Sequence, residues 1–293
     1  MEQLETGSFI AADAFVPAAT LRVVSWNINR GLQLDGVIEF LRRTPADLIL
    51  LQETDVNARR TQYRDVAREI AQALRMDYAF GCEFEELTQG NHSSPAYHGQ
   101  ANLSRLPFLE SRILRFRKQS DFWRPRWFVP NTHHFQRRLG GRMALVSVMS
   151  WIEKPLVVYN VHLESRGNDG LRSGQLAELL EDVNRCASDA PVIIAGDFNF
   201  DLTEEPATSL LAGASRVGAP FENPFDNGNL RATTTRSRLG RARTIDWTLI
   251  RGPLACVGAE LHDFVLASDH YPVSLTLVPK PVSRSLFRAS LFQ

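Results

Sequence analysis

The chain has 293 residues, and its 33 Lys and Arg balance 33 Asp and Glu to a formal net charge of zero. That balance excludes a uniformly basic nucleic-acid binder and an acidic disordered tail, while leaving open charge gathered in one place. Hydrophobic content of 44% with 23% charged residues allows a full buried core, in one large sandwich or two domains. Three scattered cysteines (Cys82, Cys186, Cys256) without Cys-x-x-Cys argue against a disulfide framework or a zinc ribbon. The acidic start and the lack of any 18-residue apolar run predict a cytoplasmic protein with no membrane span.

Along the chain, short β-branched runs are each closed by a polar residue. Leu21-Arg-Val-Val-Ser-Trp26 ends at Asn27, and Asp47-Leu-Ile-Leu-Leu51 leads to Glu53. Helical spacing follows near 34–43 and 62–75, from Val37, Ile38 and Leu41 and from Val66, Ile70 and Leu74. Strands are predicted near 78–84, 97–103, 110–116 and 143–151. Pro155-Leu-Val-Val-Tyr-Asn-Val161 then ends at His162, and a third helix is predicted near 171–187. Pro191-Val-Ile-Ile-Ala-Gly196 ends at Asp197, Thr244-Ile245 reaches Asp246, and strands near 256–265 and 271–278 complete the pattern. This mixture predicts two packed sheets with helices outside. Strand order cannot be read from periodicity.

A polar group ending a buried strand costs free energy unless it is paired or opens into a cleft. The polar ends therefore predict a shared rim. Its members are Asn27, Asn29, Glu53, His162, Asp197, Asn199, Asp246, Asp269 and His270. Carboxylates and amides without thiolates are hard oxygen ligands, suited to Mg²⁺, Mn²⁺ or Ca²⁺ rather than zinc. A hard cation beside two histidines is what attack on a phosphate needs, because its transition state spreads charge over several oxygens. Singly, each residue also has a plain structural reading, as a strand end, an Asx turn or a cap.

Six motifs occur in order: Ser25-Trp-Asn-Ile-Asn29, Leu51-Gln-Glu53, Asn160-Val-His-Leu-Glu164, Gly196-Asp-Phe-Asn199, Ile245-Asp-Trp247 and Ser268-Asp-His-Tyr-Pro-Val273. Together they resemble the endonuclease/exonuclease/phosphatase superfamily, over residues 25 to 273. The resemblance implies an α/β fold, a four-layered α/β/β/α sandwich of two packed mixed β-sheets flanked by helices, and a Mg²⁺- or Mn²⁺-dependent phosphoesterase. It implies Glu53 as principal metal ligand, with Asn27, Asn29 and Asp269 around it. Asp197 and Asn199 would orient the attacking water and hold the phosphate or metal. His270, oriented by Asp246, would be base or phosphate contact, and His162 would hydrogen-bond the phosphate. Two departures stand out: Asn29 replaces a common Asp, and Gly99-Gln-Ala-Asn-Leu-Ser-Arg105 carries its amide out of the usual place.

His162-Leu-Glu-Ser165, followed by Arg166, Arg172 and Gln175-Leu176, resembles tyrosyl-DNA phosphodiesterase 2-like and related bacterial members. Arg172 or Arg166 could clasp a phosphate, or the segment could be a solvated helix start capped by Ser165 or Asn168. Arg142 is a third candidate substrate contact. It closes a stretch from Arg105 with ten Lys or Arg and two acids, interleaved with Phe122, Trp123, Trp127, Phe128 and Phe135. Such a stretch grips a phosphodiester chain and stacks bases, or else packs its aromatics on the core. A second stretch, 229–243, holds five arginines and no acid.

The expected organisation is an extension over 1–20, one domain over 21–280 and a tail over 281–293. The expected function is a phosphodiesterase or nuclease-type hydrolase acting on a phosphate ester, nucleic acid among the candidates. Two alternatives accompany it: an inositol-phosphate or sphingomyelinase-like phosphohydrolase, and a non-catalytic phosphate-binding module. His92, His98, His133, His134 and His262 have no motif partner and are expected in solvent or packing roles.

Overall fold

A computed structural model of the chain describes residues 3–10, 19–91, 93–130, 132, 134, 137–187, 190–225, 234–236 and 242–280. In chain order the first half holds β1 (Leu4–Gly7), β2 (Leu21–Arg30), α1 (Leu34–Arg43), β3 (Leu48–Val56), α2 (Val66–Leu74), β4 (Asp77–Asn91), β5 (Ser94–Ser104) and β6 (Phe108–Arg115). Next come β7 (Arg138–Gly140), β8 (Met143–Trp151), β9 (Lys154–His162), α3 (Asp169–Val183) and β10 (Val192–Asp197). Last are α4 (Ala207–Val217), β11 (Phe221–Glu222), β12 (Asp246–Arg251), β13 (Leu254–Leu261) and β14 (Val273–Pro279).

The strands form two mixed sheets. One runs β1-β4-β5-β3-β2-β14-β13, with β7 also paired to β4; the other runs β11-β12-β10-β9-β8-β6. Each sheet contains one parallel pair, β2 with β3 and β9 with β10, crossed over by α1 and α3 respectively. Helices α1 and α2 pack on the outer face of the first sheet through Val37, Leu41, Val66 and Ile70 against Val24, Trp26, Ile49 and Leu51. Helices α3 and α4 cover the second sheet, through Leu176, Leu179 and Ala214 against Tyr159, Val161 and Ile194. The four-layered sandwich expected from the sequence is thus the observed architecture.

The period of two explains what lies between the sheets. On β2, Leu21 and Val23 face inward, while Val24 and Trp26 belong to the outer core. The same division places Leu48 and Leu50 of β3, Leu156 and Val158 of β9, Ile193 and Ala195 of β10, and Ile250 of β12 in the inner core. Continuing each inward row by two residues replaces apolar side chains with polar ones: Ser25, Gln52, Asn160 and Thr248, all buried. An unpaired polar group there would cost about 1–3 kcal/mol. Accordingly, Gln52 Nε2 donates to Asn160 Oδ1 across the sheets at 2.8 Å. Asn160 Nδ2 donates to the carbonyls of Leu51 and Ala101. One step further along these rows come Asn27, His162, Asp197 and Asp246.

Some elements differ from the sequence expectation. Helix α2 starts at Val66, because Asp65 caps it by accepting from Arg68 N, and residues 59–61 form a separate 3₁₀ turn. Helix α4 was not expected: its Ala-, Ser- and Gly-rich run has few large apolar residues to mark a stripe. Residues 4–7, expected within an extension, pair antiparallel with β4 as an edge strand. The tail over 281–293 lies outside the described residues, as do His92, His133 and Phe135.

Candidate active site at the strand ends

Both parallel strand pairs end at the same edge of the sandwich, where the chain must turn and leave polar groups in a crevice. Asp197, the last residue of β10, lies in register with His162 of β9 on one side and Asp246 of β12 on the other. Gly196 makes this possible. Its φ is +144°, and a Cβ there would fall 2.0 Å from the Val161 carbonyl oxygen. On the other sheet, register slips after Asn27 in β2 and after Leu51 in β3 break the alternation. At those bulges Asn29 and Glu53 take left-handed backbone, with φ of 46° and 53°. Bulges re-aim side chains beside functional crevices, and here Glu53 Oε1 reaches Asn27 Nδ2 at 3.4 Å.

Asp197 is the hub. Its Oδ1 accepts from Asn199 N at 2.9 Å and its Oδ2 from Asn27 Nδ2 at 3.1 Å. The same Oδ2 lies 3.7 Å from His162 Nε2 and 3.8 Å from His270 Nε2. His270 in turn places Nδ1 2.9 and 3.1 Å from the two oxygens of Asp246. Ser268 Oγ anchors this loop to the Asn27 carbonyl at 2.7 Å, and Trp26 Nε1 donates to the His270 carbonyl.

The electrostatics follow from burial and neighbours. Burial opposes ionisation of Glu53, but Arg30 first, then His98 and His162, hold its carboxyl well below the usual range. Burial raises the Asp197 carboxyl to about 7, with His270 opposing and Asp246 adding to the rise. Burial disfavours charge on His270, yet Asp246 and then Asp197 lift it to about 10. His162 goes the other way: burial, then the Arg142 guanidinium, hold it well below an ordinary histidine. The cluster therefore has three acids, Glu53, Asp197 and Asp246, with one imidazolium and one neutral imidazole.

The structure brings together Asn27, Glu53, His162, Asp197, Asn199, Asp246 and His270. The amide of Asn27, however, is not presented as an oxygen ligand. Its nitrogen bridges Glu53 and Asp197, while Oδ1 accepts from Asn29 N at 3.0 Å. Asn29 Oδ1 accepts from Arg30 Nη1 at 2.6 Å, and Asn199 Nδ2 donates to the Leu163 carbonyl at 3.1 Å. Asp269 lies beside Ser268 Oγ at 3.4 Å, and its carbonyl accepts from Arg236 N. Arg172 corrects the expectation of a phosphate clasp. It is buried, and its guanidinium goes to the carbonyls of Glu164, Ser165 and Gly167 and to Asp169. Asn168 provides the helix cap, accepting from Leu171 N. Arg166 instead lies over the ring of Phe122, 5.0 Å from its centroid.

Arg142, expected at the substrate, is 2% exposed and faces inward between Glu83, His162 and Ser165. Glu83 belongs to no motif and was not found from the sequence. The available signal was an acid at a buried position within the apolar run of β4, Tyr78 to Phe84.

As a cation site, the set fits a hard divalent ion. The donors are oxygens, Glu53 is held ionised, and the buried carboxylates of Asp197 and Asp246 repel each other unless positive charge is near. Among the described residues, Asp197, Asp246 and His270 present ligand-type atoms within 4.8 Å of one another. His270 Nδ1 is already engaged by Asp246, which leaves Glu53 and Asp197 as the better-suited pair.

The model of the Endonuclease/Exonuclease/phosphatase family matches residues 24–270. No curated protein matches the sequence. Among solved structures, an endonuclease/exonuclease/phosphatase from Beutenbergia cavernae is 18% identical, with a TM-score of 0.59 over 89% of this chain and 72% of that one. D. rerio TDP2 complexed with single strand DNA product is 20% identical, with a TM-score of 0.59 over 89% of this chain and 99% of that one. An endonuclease/exonuclease/phosphatase from Bacteroides vulgatus is 14% identical, with a TM-score of 0.60 over 89% and 99%. No helix among the described residues is long and apolar enough to cross a membrane.

Proposed function

We propose, because the chain belongs to the Endonuclease/Exonuclease/phosphatase family, that it is a Mg²⁺- or Mn²⁺-dependent phosphodiesterase acting at single-stranded nucleic-acid segments. The observation that carries the hydrolase reading is the convergence on Asp197 and its neighbour Asn199 of Asn27, His162 and His270 from three other chain segments. Glu53 and Asp197 would hold the cation, which supplies charge neutralisation at the phosphate and the leaving oxygen.

In the reaction, a water oxygen attacks phosphorus in line with the departing ester oxygen, and the P–O bond to that oxygen breaks. The Asp197 carboxylate orients the attacking water and receives its proton. Asn199 N–H and the Asn27 amide keep that carboxylate oriented. His270, cationic at neutral pH and fixed by Asp246, holds a phosphoryl oxygen rather than acting as base. His162, kept neutral, hydrogen-bonds the phosphoryl oxygens as charge grows on them.

The substrate reading rests on the segment preceding β7. Trp123 is buried and donates Nε1–H to Glu164 Oε1 at 2.9 Å, tying this segment to the loop that follows His162. Around that anchor, Phe122, Trp127 and Phe128 stay exposed, Trp127 at 94%. Arg126 lies over Phe128, and Arg166 over Phe122. Exposed rings interleaved with guanidiniums suit stacked bases and backbone phosphates better than a compact headgroup. D. rerio TDP2 in its complex holds a single strand DNA product, which agrees with this choice.

A substrate panel tests the reading: single-stranded and duplex DNA with 5′-tyrosyl or abasic ends, RNA, inositol phosphates and sphingomyelin, each with Mg²⁺. The expected result is turnover of single-stranded nucleic acid above the others. Preference for an inositol phosphate or sphingomyelin would overturn the substrate, and no turnover of anything would overturn the hydrolase.

A further inference from the structure

We propose that Glu164 is a positioning residue: one oxygen of its carboxylate fastens the loop that follows His162 to the aromatic segment, and so sets Phe122 and Arg166 together as a subsite for one nucleotide. The inference rests on the single-stranded nucleic-acid reading above, and adds to it the pair of side chains that takes a base and its phosphate.

Glu164 is fully buried, just beyond the His162 end of β9. Its Oε1 accepts from Arg166 N and from Trp123 Nε1, both at 2.9 Å. The first bond fixes the backbone from which the Arg166 side chain departs, and the second fixes the indole next to Phe122. A single acceptor thus serves both neighbours, and the Arg166 guanidinium comes to lie 5.0 Å from the Phe122 centroid. Gln175 repeats the link, accepting from Glu164 N at 2.9 Å and donating to the Lys118 carbonyl at 2.8 Å. Trp123 is held on its faces as well, with Arg138 over the ring at 4.8 Å and Phe84 at 5.9 Å.

What this joint displays suits a nucleotide. Phe122 sits in the 3₁₀ turn Asp121–Trp123, where its N–H donates to Ser120 Oγ at 3.1 Å. It meets Trp123 edge-on at 4.8 Å, yet remains 56% exposed. Trp123 is therefore the anchor, and Phe122 is the ring held out to solvent. Arg166 is exposed too, and among the described residues no carboxylate pairs with it; Asp169 takes Arg172 instead. A π-face for a base and guanidinium donors for a phosphate oxygen stand side by side on one rigid support. Trp127 and Phe128, by contrast, pack with each other and with Arg126 at the tip of the segment.

Equilibrium binding tests this without turnover. Kd is measured in Mg²⁺ for a fluorescein-labelled single-stranded oligodeoxynucleotide and for a strand of the same length with abasic sugars throughout, both with phosphorothioate linkages to slow hydrolysis. Phe122→Leu should weaken binding of the normal strand about 5- to 150-fold and leave the abasic strand unaffected. Arg166→Gln should weaken both, and make the dependence of log K on log salt shallower by about 0.7, the share of one phosphate on a single strand. Trp123→Phe, which keeps a ring and removes the Nε1 donor, should reproduce both losses, as should Glu164→Met. Glu164→Gln, which keeps the acceptor, should retain most of the wild-type binding. Should Glu164→Met not fold, Trp123→Phe decides. Equal effects of Phe122→Leu on the two strands, an unaltered salt slope in Arg166→Gln, or a Trp123→Phe protein that binds like wild type would overturn the proposal. So would a wild type that binds neither strand. The activity is judged apart from this: the expected binding pattern without hydrolysis of any nucleic acid refutes the function and leaves the subsite, and hydrolysis of single strands without that pattern does the reverse.

Discussion

Asp197 combines a buried charge with four polar neighbours, and its replacement separates chemistry from stability. Asp197→Asn keeps an acceptor for either Asn199 N–H or Asn27 Nδ2 and loses the other. It also removes a carboxylate whose ionisation burial disfavours. These effects oppose each other, so Tm should stay within about 4 °C of wild type, near 1 kcal/mol. With no carboxylate to take the water proton, kcat should fall about 10²-fold or more. A variant with full turnover would remove Asp197 from the mechanism, and one that melts far lower would make it a structural residue instead.

At the scale of elements, two segments flank the crevice and differ in what they hold. The loop from Glu164 to Asn168 is held from within by Arg172, which reaches three loop carbonyls and Asp169. Arg172→Ala should therefore cost about 2 kcal/mol, seen as a Tm lowered by about 4 °C or more. A raised KM with unchanged Tm would restore a phosphate contact. The aromatic segment behaves oppositely, because its tip is solvent-exposed. Trp127→Ala and Phe128→Ala should leave Tm unchanged and raise KM for an oligonucleotide by about 5- to 150-fold, equivalent to ~1–3 kcal/mol per stacked base. The same variants should affect bis-(p-nitrophenyl) phosphate much less. Equal effects on both substrates would return these rings to a packing role. Arginines in this stretch divide by direction: Arg138 and Arg142 point into the protein, whereas Arg117, Arg124 and Arg126 face solvent.

Across the whole molecule, the net charge of zero conceals a buried ionic system beneath the crevice. Arg60 meets Asp55 and Glu86, Arg138 shares the same Glu86 oxygen at 2.7 Å, and Glu83 takes Arg142. His98, expected in a packing role, lies 2.8 Å from Asp55 in this system. Burial opposes ionisation of Glu86, but Arg138 and then Arg60 hold its carboxyl below the ordinary 4.5. A carboxyl depressed in the folded state stabilises above its unfolded pKa and loses that contribution as pH falls through its folded value. Tm should therefore be insensitive to this group from pH 6 to 8, and should fall as the pH drops below about 5. Glu86→Gln should lower stability at neutral pH by about 3 kcal/mol for a stranded buried guanidinium, seen as a lower Tm, and flatten the acid limb. Parallel Tm–pH curves for the two proteins would contradict this.

The strand ends were legible because each lies on a short apolar run whose period of two carries a polar residue into the crevice. The order of five such ends, followed by Ser268-Asp-His270 ahead of the last strand, made the family recognisable. Partners reached through space were not legible. Glu83 lies in the middle of β4, and only its pairing with Arg142 across the sandwich gives it meaning. The inward turn of Arg142 was hidden in a stretch that reads equally well as a solvated basic face. Asn27 shows a subtler limit: its position was readable, but which end of its amide meets the acids depends on the bulge that brings Asn29 N–H to its oxygen.

Metal-dependent phosphodiester hydrolysis is proposed to take place at Glu53 and Asp197. Its most direct test follows bis-(p-nitrophenyl) phosphate hydrolysis by the wild-type chain and by Glu53→Gln, in Mg²⁺ or Mn²⁺ and then in EDTA. Wild-type turnover should be abolished by EDTA and restored by added metal, with Glu53→Gln reduced at least about 10²-fold. Wild-type turnover that persists in EDTA, or an unimpaired Glu53→Gln, would contradict it.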